Sequence, residues 1–131
     1  MSNYYTFSSF SSHGIACGLA LPHAMEHNIV VSPDRLAAIA EAMGVDTTGL
    51  DRKDAAQAAV EAVRSLIVDV GLPTTLKEVG VRHEDLPKLA EQAVTIPWIK
   101  VMFSYAIRDM TKELALQFLE EIYGEEYPLA T

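Results

Sequence analysis

The sequence predicts an all-α domain of about five to seven helices. Several segments place apolar residues three and four positions apart, these segments are bracketed by capping residues and glycines, and no stretch sustains period-two alternation. A Gly-rich phosphate turn following a strand-like run is not found in the 131 residues, and no internal repeat is visible.

Residues 1–12 form an aromatic, Ser-rich segment in which Tyr4, Tyr5, Phe7 and Phe10 alternate with small polar residues, and irregular or extended structure is expected there. A helix follows from Gly14 to about His27. Its apolar residues run round the whole wheel and only His23, Glu26 and His27 share a polar arc, the mark of a largely buried helix. Gly14, Ala16, Gly18, Ala20 and Ala24 permit a close neighbour, and Pro22 removes a backbone donor and is expected to kink the helix. Ser32-Pro33-Asp34 opens a second helix with a capping hydroxyl, a first-turn proline and an acid at the positive end of the dipole. Leu36, Ile39, Ala40 and Met43 form its stripe, and Gly44 closes it. After a loop at 46–50, Asp51 caps a third helix with Ala56, Val60, Val63, Ile67 and Val70 on one face, ended by Gly71.

Leu72-Pro73 forces an extended step, and Thr75 with Glu78 makes a capping-box pair for a short turn ended by Gly80. Glu84 and Asp85, with Pro87 in the first turn, begin a helix whose Leu86, Leu89, Ala90 and Ala93 face inward. Between Thr95 and Ile107 the pattern fits a helical face of Trp98, Met102 and Tyr105 and equally a buried extended run. Thr111 caps the last helix, with Leu114, Ala115, Phe118, Leu119 and Ile122 apolar, Gly124 at its end and a polar tail beyond.

Composition narrows function. Eighteen acidic against ten basic side chains leave a net charge of −8, so a nucleic-acid backbone or an anionic membrane surface is a poor partner. The single cysteine, Cys17, rules out an intrachain disulfide framework and a clustered thiolate metal site, and fits a reducing compartment. It reads as a buried, inert thiol. The opening residues lack the charge and apolar run of a signal peptide, so a cytoplasmic location is expected. The aromatic residues Trp98, Phe103 and Tyr105 read as core, and the acidic run Glu120, Glu121, Glu125 and Glu126 as a solvated end.

The histidines carry what chemistry there is. His13-Gly14, Gly18, Leu21-Pro22 and Asn28 fall where the iron-containing, group III alcohol dehydrogenase family has a metal-binding His-Gly, a small-residue helix running into Leu-Pro, and a nearby Asn. The chain beyond Asn28 is similar to the remaining helices of that family's C-terminal domain, so the resemblance covers nearly everything from His13 onward. It implies one domain over 13–131 of iron-dependent alcohol dehydrogenase type, similar to the C-terminal domain of dehydroquinate synthase-like and iron-dependent alcohol dehydrogenases, preceded by the 1–12 segment. It also implies His13 as a metal ligand, with an Asp and two further His upstream in complete members. There Fe2+, or a substitute divalent metal, acts as Lewis acid on an alcohol oxygen while hydride passes to NAD(P). The family's loop before its final helix is matched at Ala106-Ile107-Arg108-Asp109-Met110 only by the Arg.

The expectation is therefore a C-terminal portion of an NAD(P)-dependent alcohol oxidoreductase, a fragment that binds neither metal nor dinucleotide alone and is inactive alone. Its partners would be further copies of itself in a homo-oligomer and a separately encoded nucleotide-binding half. A helical interaction or assembly module without catalysis is the alternative. A second metal reading exists: His23-Ala24-Met25-Glu26-His27 spells H-x-x-E-H, the zinc motif of inverted zinc metalloproteases, with His23 and His27 on one helix face. The simpler reading of that stretch is a solvated face, and of His83 an exposed helix-terminus residue.

Overall fold

The computed structural model describes residues 13–96 and 110–124, and among these residues every regular element is helical. Five α-helices follow one another: α1 (His13–Asn28), α2 (Pro33–Ala42), α3 (Arg52–Asp69), α4 (Leu86–Thr95) and α5 (Lys112–Gly124). Short 3-10 turns at Lys77–Val79 and His83–Asp85 lie between α3 and α4, the second running directly into α4. The expected elements at 1–12, the Trp98, Phe103 and Tyr105 region, the Arg108 loop and Glu125 and Glu126 lie outside the described residues.

Two helix pairs are joined through α1: α2 packs on α3, α4 packs on α5, and α1 touches both α3 and α5. Each pair has its own apolar cluster. Met25 joins Leu36, Ala40, Ala56, Ala59, Val60, Val63 and Ile67 in one, while Leu19 joins Leu76, Val81, Leu86, Leu89, Ala90, Ala115, Leu119 and Ile122 in the other. The apolar wheel of α1 thus has a physical reason: its two halves serve two cores. Pro22 is fully buried inside α1, where its ring withholds the N–H that would otherwise bond the Gly18 carbonyl.

The punctuation follows the sequence closely except at Ser32, and three of the residues expected on buried faces are exposed. Asp51 Oδ1 accepts the Asp54 N–H at 2.8 Å, and Thr111 Oγ1 accepts that of Leu114 at 3.1 Å, so both caps form. Thr75 Oγ1 accepts the Glu78 N–H at 3.3 Å and donates to Glu78 Oε1 at 3.3 Å, and Gly80 ends that turn at φ +89°. The Leu76 N–H reaches across to the Ile122 carbonyl at 3.0 Å, satisfying one of the acceptors that the last turn of α5 leaves open. Ser32, in contrast, holds the cap position of α2 without a side-chain bond, leaving Pro33 to start the helix. On α2 the buried face is Leu36, Ala37 and Ala40, whereas Ile39 and Met43 are exposed; α2 needs only a narrow seam to meet α3, and small alanines let the two helices approach closely. Val70, at the C-cap of α3, is likewise exposed.

Candidate functional site

His13 is the first residue of α1, at the end where unpaired backbone N–H groups give the helix its positive pole, and no acidic side chain occupies that first turn. Gly14, Cys17 and Leu21 follow along one face at spacings of three and four, and all three are exposed. A methyl group on Gly14 would meet no atom within 4 Å, and one on Gly18 would only touch Leu72 Cδ1 at 3.6 Å. Gly14 therefore has open space beside it among the described residues, Gly18 lies against Leu72, and the expectation of a buried Cys17 is corrected: it lies on the exposed face, opposite Leu19.

Further along α1 the polar arc turns inward. His23 is 6% exposed and packs edge-on against Phe118 of α5, with ring centroids 6.3 Å apart. His27 Nε2 lies 2.7 Å from Glu121 Oε2 and its ring also meets Phe118, at 5.6 Å. Glu26 is taken by α3: Arg64 donates to Glu26 Oε2 at 2.6 Å and to Glu61 Oε1 at 3.0 Å, with only 9% of the arginine side chain exposed. His23, Glu26 and His27 are thus the polar seam where α1 meets α3 and α5. The solvated-face reading is corrected for His23, because the same arc that carries it also carries the contact with α5.

Burial in this seam holds the pKa of His23 below the ordinary histidine range, with the Arg64 charge adding to the effect. Glu121 and Glu26 act in the opposite direction, and His27 lowers it slightly. His23 is accordingly neutral at pH 7.

Sequence reasoning missed Arg64, Glu121 and Phe118 as partners. The signal for Arg64 was present: it stands four residues after Val60 and three before Ile67, inside the apolar stripe of α3, where a charge has to find a partner. Glu121 and Phe118 lie far along the chain from α1, and nothing local ties them to it.

His83 keeps its expected exposed place at a helix start, and its Nε2 also lies 2.9 Å from Glu120 Oε2, beside the Tyr123 ring at 5.2 Å. The acids Glu120 and Glu121 are thus not merely a solvated end. Each ties α5 to a histidine of another segment, which offsets their unfavourable position near the negative pole of the helix. Asp85 is buried and receives two bonds from Arg82, at 3.1 and 3.2 Å.

Among the described residues no three His, Cys, Asp or Glu side chains converge to hold a metal ion. In the H-x-x-E-H stretch the Glu is bonded to Arg64 and the second His to Glu121, so both are engaged in joining helices. A catalytic metal needs about three protein ligands and an open position, and the described side chains do not by themselves make such a site. No helix among them is long and apolar enough to cross a membrane.

Comparison with known proteins places this geometry. The sequence pattern of the Fe-containing alcohol dehydrogenase family, C-terminal, matches residues 8–123. The 1,3-propanediol dehydrogenase of Klebsiella pneumoniae is 42% identical over 82 residues, 63% of this chain and 21% of that protein. Lactaldehyde reductase of Escherichia coli K12 is 45% identical over 82 residues, 63% of this chain and 22% of that protein. Among solved structures, an alcohol dehydrogenase from Oenococcus oeni superposes with a TM-score of 0.78 at 34% identity, covering 88% of this chain and 29% of that one. A 1,3-propanediol oxidoreductase superposes with a TM-score of 0.73 at 30% identity, covering 85% and 28%. The chain spans about a fifth of the length of the curated relatives it matches. With both the sequence pattern and the helical arrangement in agreement over most of its length, the chain belongs to the Fe-containing alcohol dehydrogenase family, of which it carries the C-terminal helical region.

Proposed function

We propose that this chain supplies the helical, metal-side region of an NAD(P)-dependent alcohol oxidoreductase, interconverting an alcohol and its aldehyde or ketone, with His13 as its contribution to the metal site. The observation that carries this is the family match across residues 8–123, which includes the His-Gly step that opens α1. The remaining ligands and the nucleotide-binding part are then contributed by other residues than those described, as the resemblance implies, and the chain alone is without dehydrogenase activity. The solvent-exposed Gly14, Cys17 and Leu21 on one face of α1, following His13, support a role for this side of the helix as a wall against the rest of a larger assembly. The same exposure supports self-association of the isolated chain, since Leu21 is 48% exposed and Leu66, Val70 and Leu72 add further uncovered apolar surface.

The test is a graft. Residues 8–123 replace the matching C-terminal segment of the Klebsiella pneumoniae 1,3-propanediol dehydrogenase, and the chimera is assayed for iron content and for 1,3-propanediol oxidation with NAD. Metal incorporation and turnover that are both lost in His13→Ala support the reading. A folded chimera that retains its iron in His13→Ala refutes the assigned ligand, and a folded chimera without turnover or metal refutes the oxidoreductase role.

A further inference from the structure

Helix α2 is apolar on two sides, and α3 covers one of them. Leu36, Ala37 and Ala40 are buried, with Leu36 and Ala40 in the cluster that α3 completes. On the opposite side Arg35, Ala38, Ile39, Ala42 and Met43 recur at i, i+3, i+4, i+7 and i+8, and all five are exposed. Ile39 and Met43 leave 41% and 40% of their surface uncovered there. The charges of α2 also run against its own dipole. Asp34 in the first turn is held by Arg52 at 3.3 Å, while Arg35 stands near the positive pole with no partner among the described residues. Glu41 stands in the last turn, near the negative pole, where α2 has no basic side chain.

We propose that this stripe is a contact between two copies of the chain, α2 lying antiparallel to the α2 of the other copy about a two-fold axis. With the axis midway along the apolar part of the stripe, Ile39 falls opposite Ala42 and Met43 opposite Ala38, so each large side chain meets a small one. Arg35 then reaches the C-terminal pole of the other helix and the Glu41 carboxylate beside it, and both misplaced charges become favourable at once. A pattern that costs free energy in one copy and complements itself when reversed selects a second copy as the occupant. The ten residues of α2 give a face ~15 Å long and ~10 Å wide, well short of the roughly 800 Å² per partner of a standard interface, so the pair is a weak one. The pairing owes nothing to His13 and stands apart from the oxidoreductase reading.

The experiment is sedimentation equilibrium on the full 131-residue chain from about 10 μM to about 1 mM, the range of a weak contact. The chain shows an association step that Ile39→Asp removes and that Leu21→Asp, on the exposed face of α1, leaves in place. Arg35→Glu and Glu41→Arg each weaken that step about tenfold, because every substitution acts twice in a two-fold pair, and the two combined restore it to within about threefold. A chain that stays monomeric throughout, association that survives Ile39→Asp, or a double charge exchange that restores nothing overturns the contact. Far-ultraviolet circular dichroism establishes that each variant keeps its helices. The exchange of Arg35 and Glu41 decides the matter even where Ile39→Asp does not fold, since a charge effect on stability alone would not be recovered in the association constant.

Discussion

Replacing Arg64 with alanine tests how α1 is held to α3. Among the described residues three contributions disappear: the bond to Glu26 across the helices, the i,i+3 bond to Glu61 within α3, and the packing of a side chain only 9% exposed. Glu26 and Glu61 are 45% and 43% exposed and rehydrate once the cation is gone, so the ~3–5 kcal/mol penalty for a stranded buried charge does not apply. The pair within α3 contributes ~0.3–0.5 kcal/mol. The charge-assisted bond to Glu26 contributes about 1–1.5 kcal/mol after screening. The buried aliphatic stem adds roughly 1 kcal/mol, for a total of roughly 2.3–3 kcal/mol. With a urea dependence of roughly 1.5–2 kcal/mol/M, the unfolding midpoint falls by ~1.2–2 M. Arg64→Met restores the stem and recovers about a third of that loss. A double-mutant cycle with Glu26→Gln gives a coupling of about 1 kcal/mol. Midpoints within about 0.3 M of the parent for both Arg64 variants, at unchanged m, would refute the account of Arg64 as the tie between these helices.

Other outcomes rest on the same contacts. Asp51→Ala removes the acceptor for the Asp54 N–H and costs about 1 kcal/mol in urea unfolding, whereas Ser32→Ala, which loses no side-chain bond, costs less than half of that, about 0.4 kcal/mol. Leu19→Ala opens a void in a fully buried position and costs ~3–4 kcal/mol, while Leu21→Ala on the exposed face of the same helix costs under about 1 kcal/mol; comparable losses would mean that the two faces are misassigned. Gly80→Ala forces a Cβ into the left-handed region and costs about 1 kcal/mol, seen as a lowered melting temperature. Because the folded pKa of His23 lies below its unfolded value, the unfolded chain takes up the proton first. Its contribution to stability is full above about pH 6.5, is lost as pH falls from there to the folded pKa, and changes no further below it. Urea midpoints across that window should decline for the parent chain and lose that component in His23→Phe.

The sequence by itself determined the helices and their ends, because those depend on neighbours within a turn or two. Asp51 and Thr111 cap through a backbone N–H three residues on, Thr75 and Glu78 bond each other, and Gly80 supplies a conformation that few other residues adopt. The family was legible for a similar reason, since His13-Gly14, Gly18 and Leu21-Pro22 lie within one short helix whose spacing the chain itself displays. Tertiary structure alone decided which side of α1 is covered. A wheel that is apolar all round carries no direction, and only the placement of α3 and α5 turned Leu19, Met25 and His23 inward and left Cys17 and Leu21 outside. It also decided the meaning of the H-x-x-E-H stretch. A local pattern puts two imidazoles and a carboxylate on one face, but what they bond depends on Arg64 and Glu121, which lie 38 and 94 positions away from Glu26 and His27 along the chain. Such contacts arise from packing two separate apolar clusters against one helix, and no spacing within the chain encodes them.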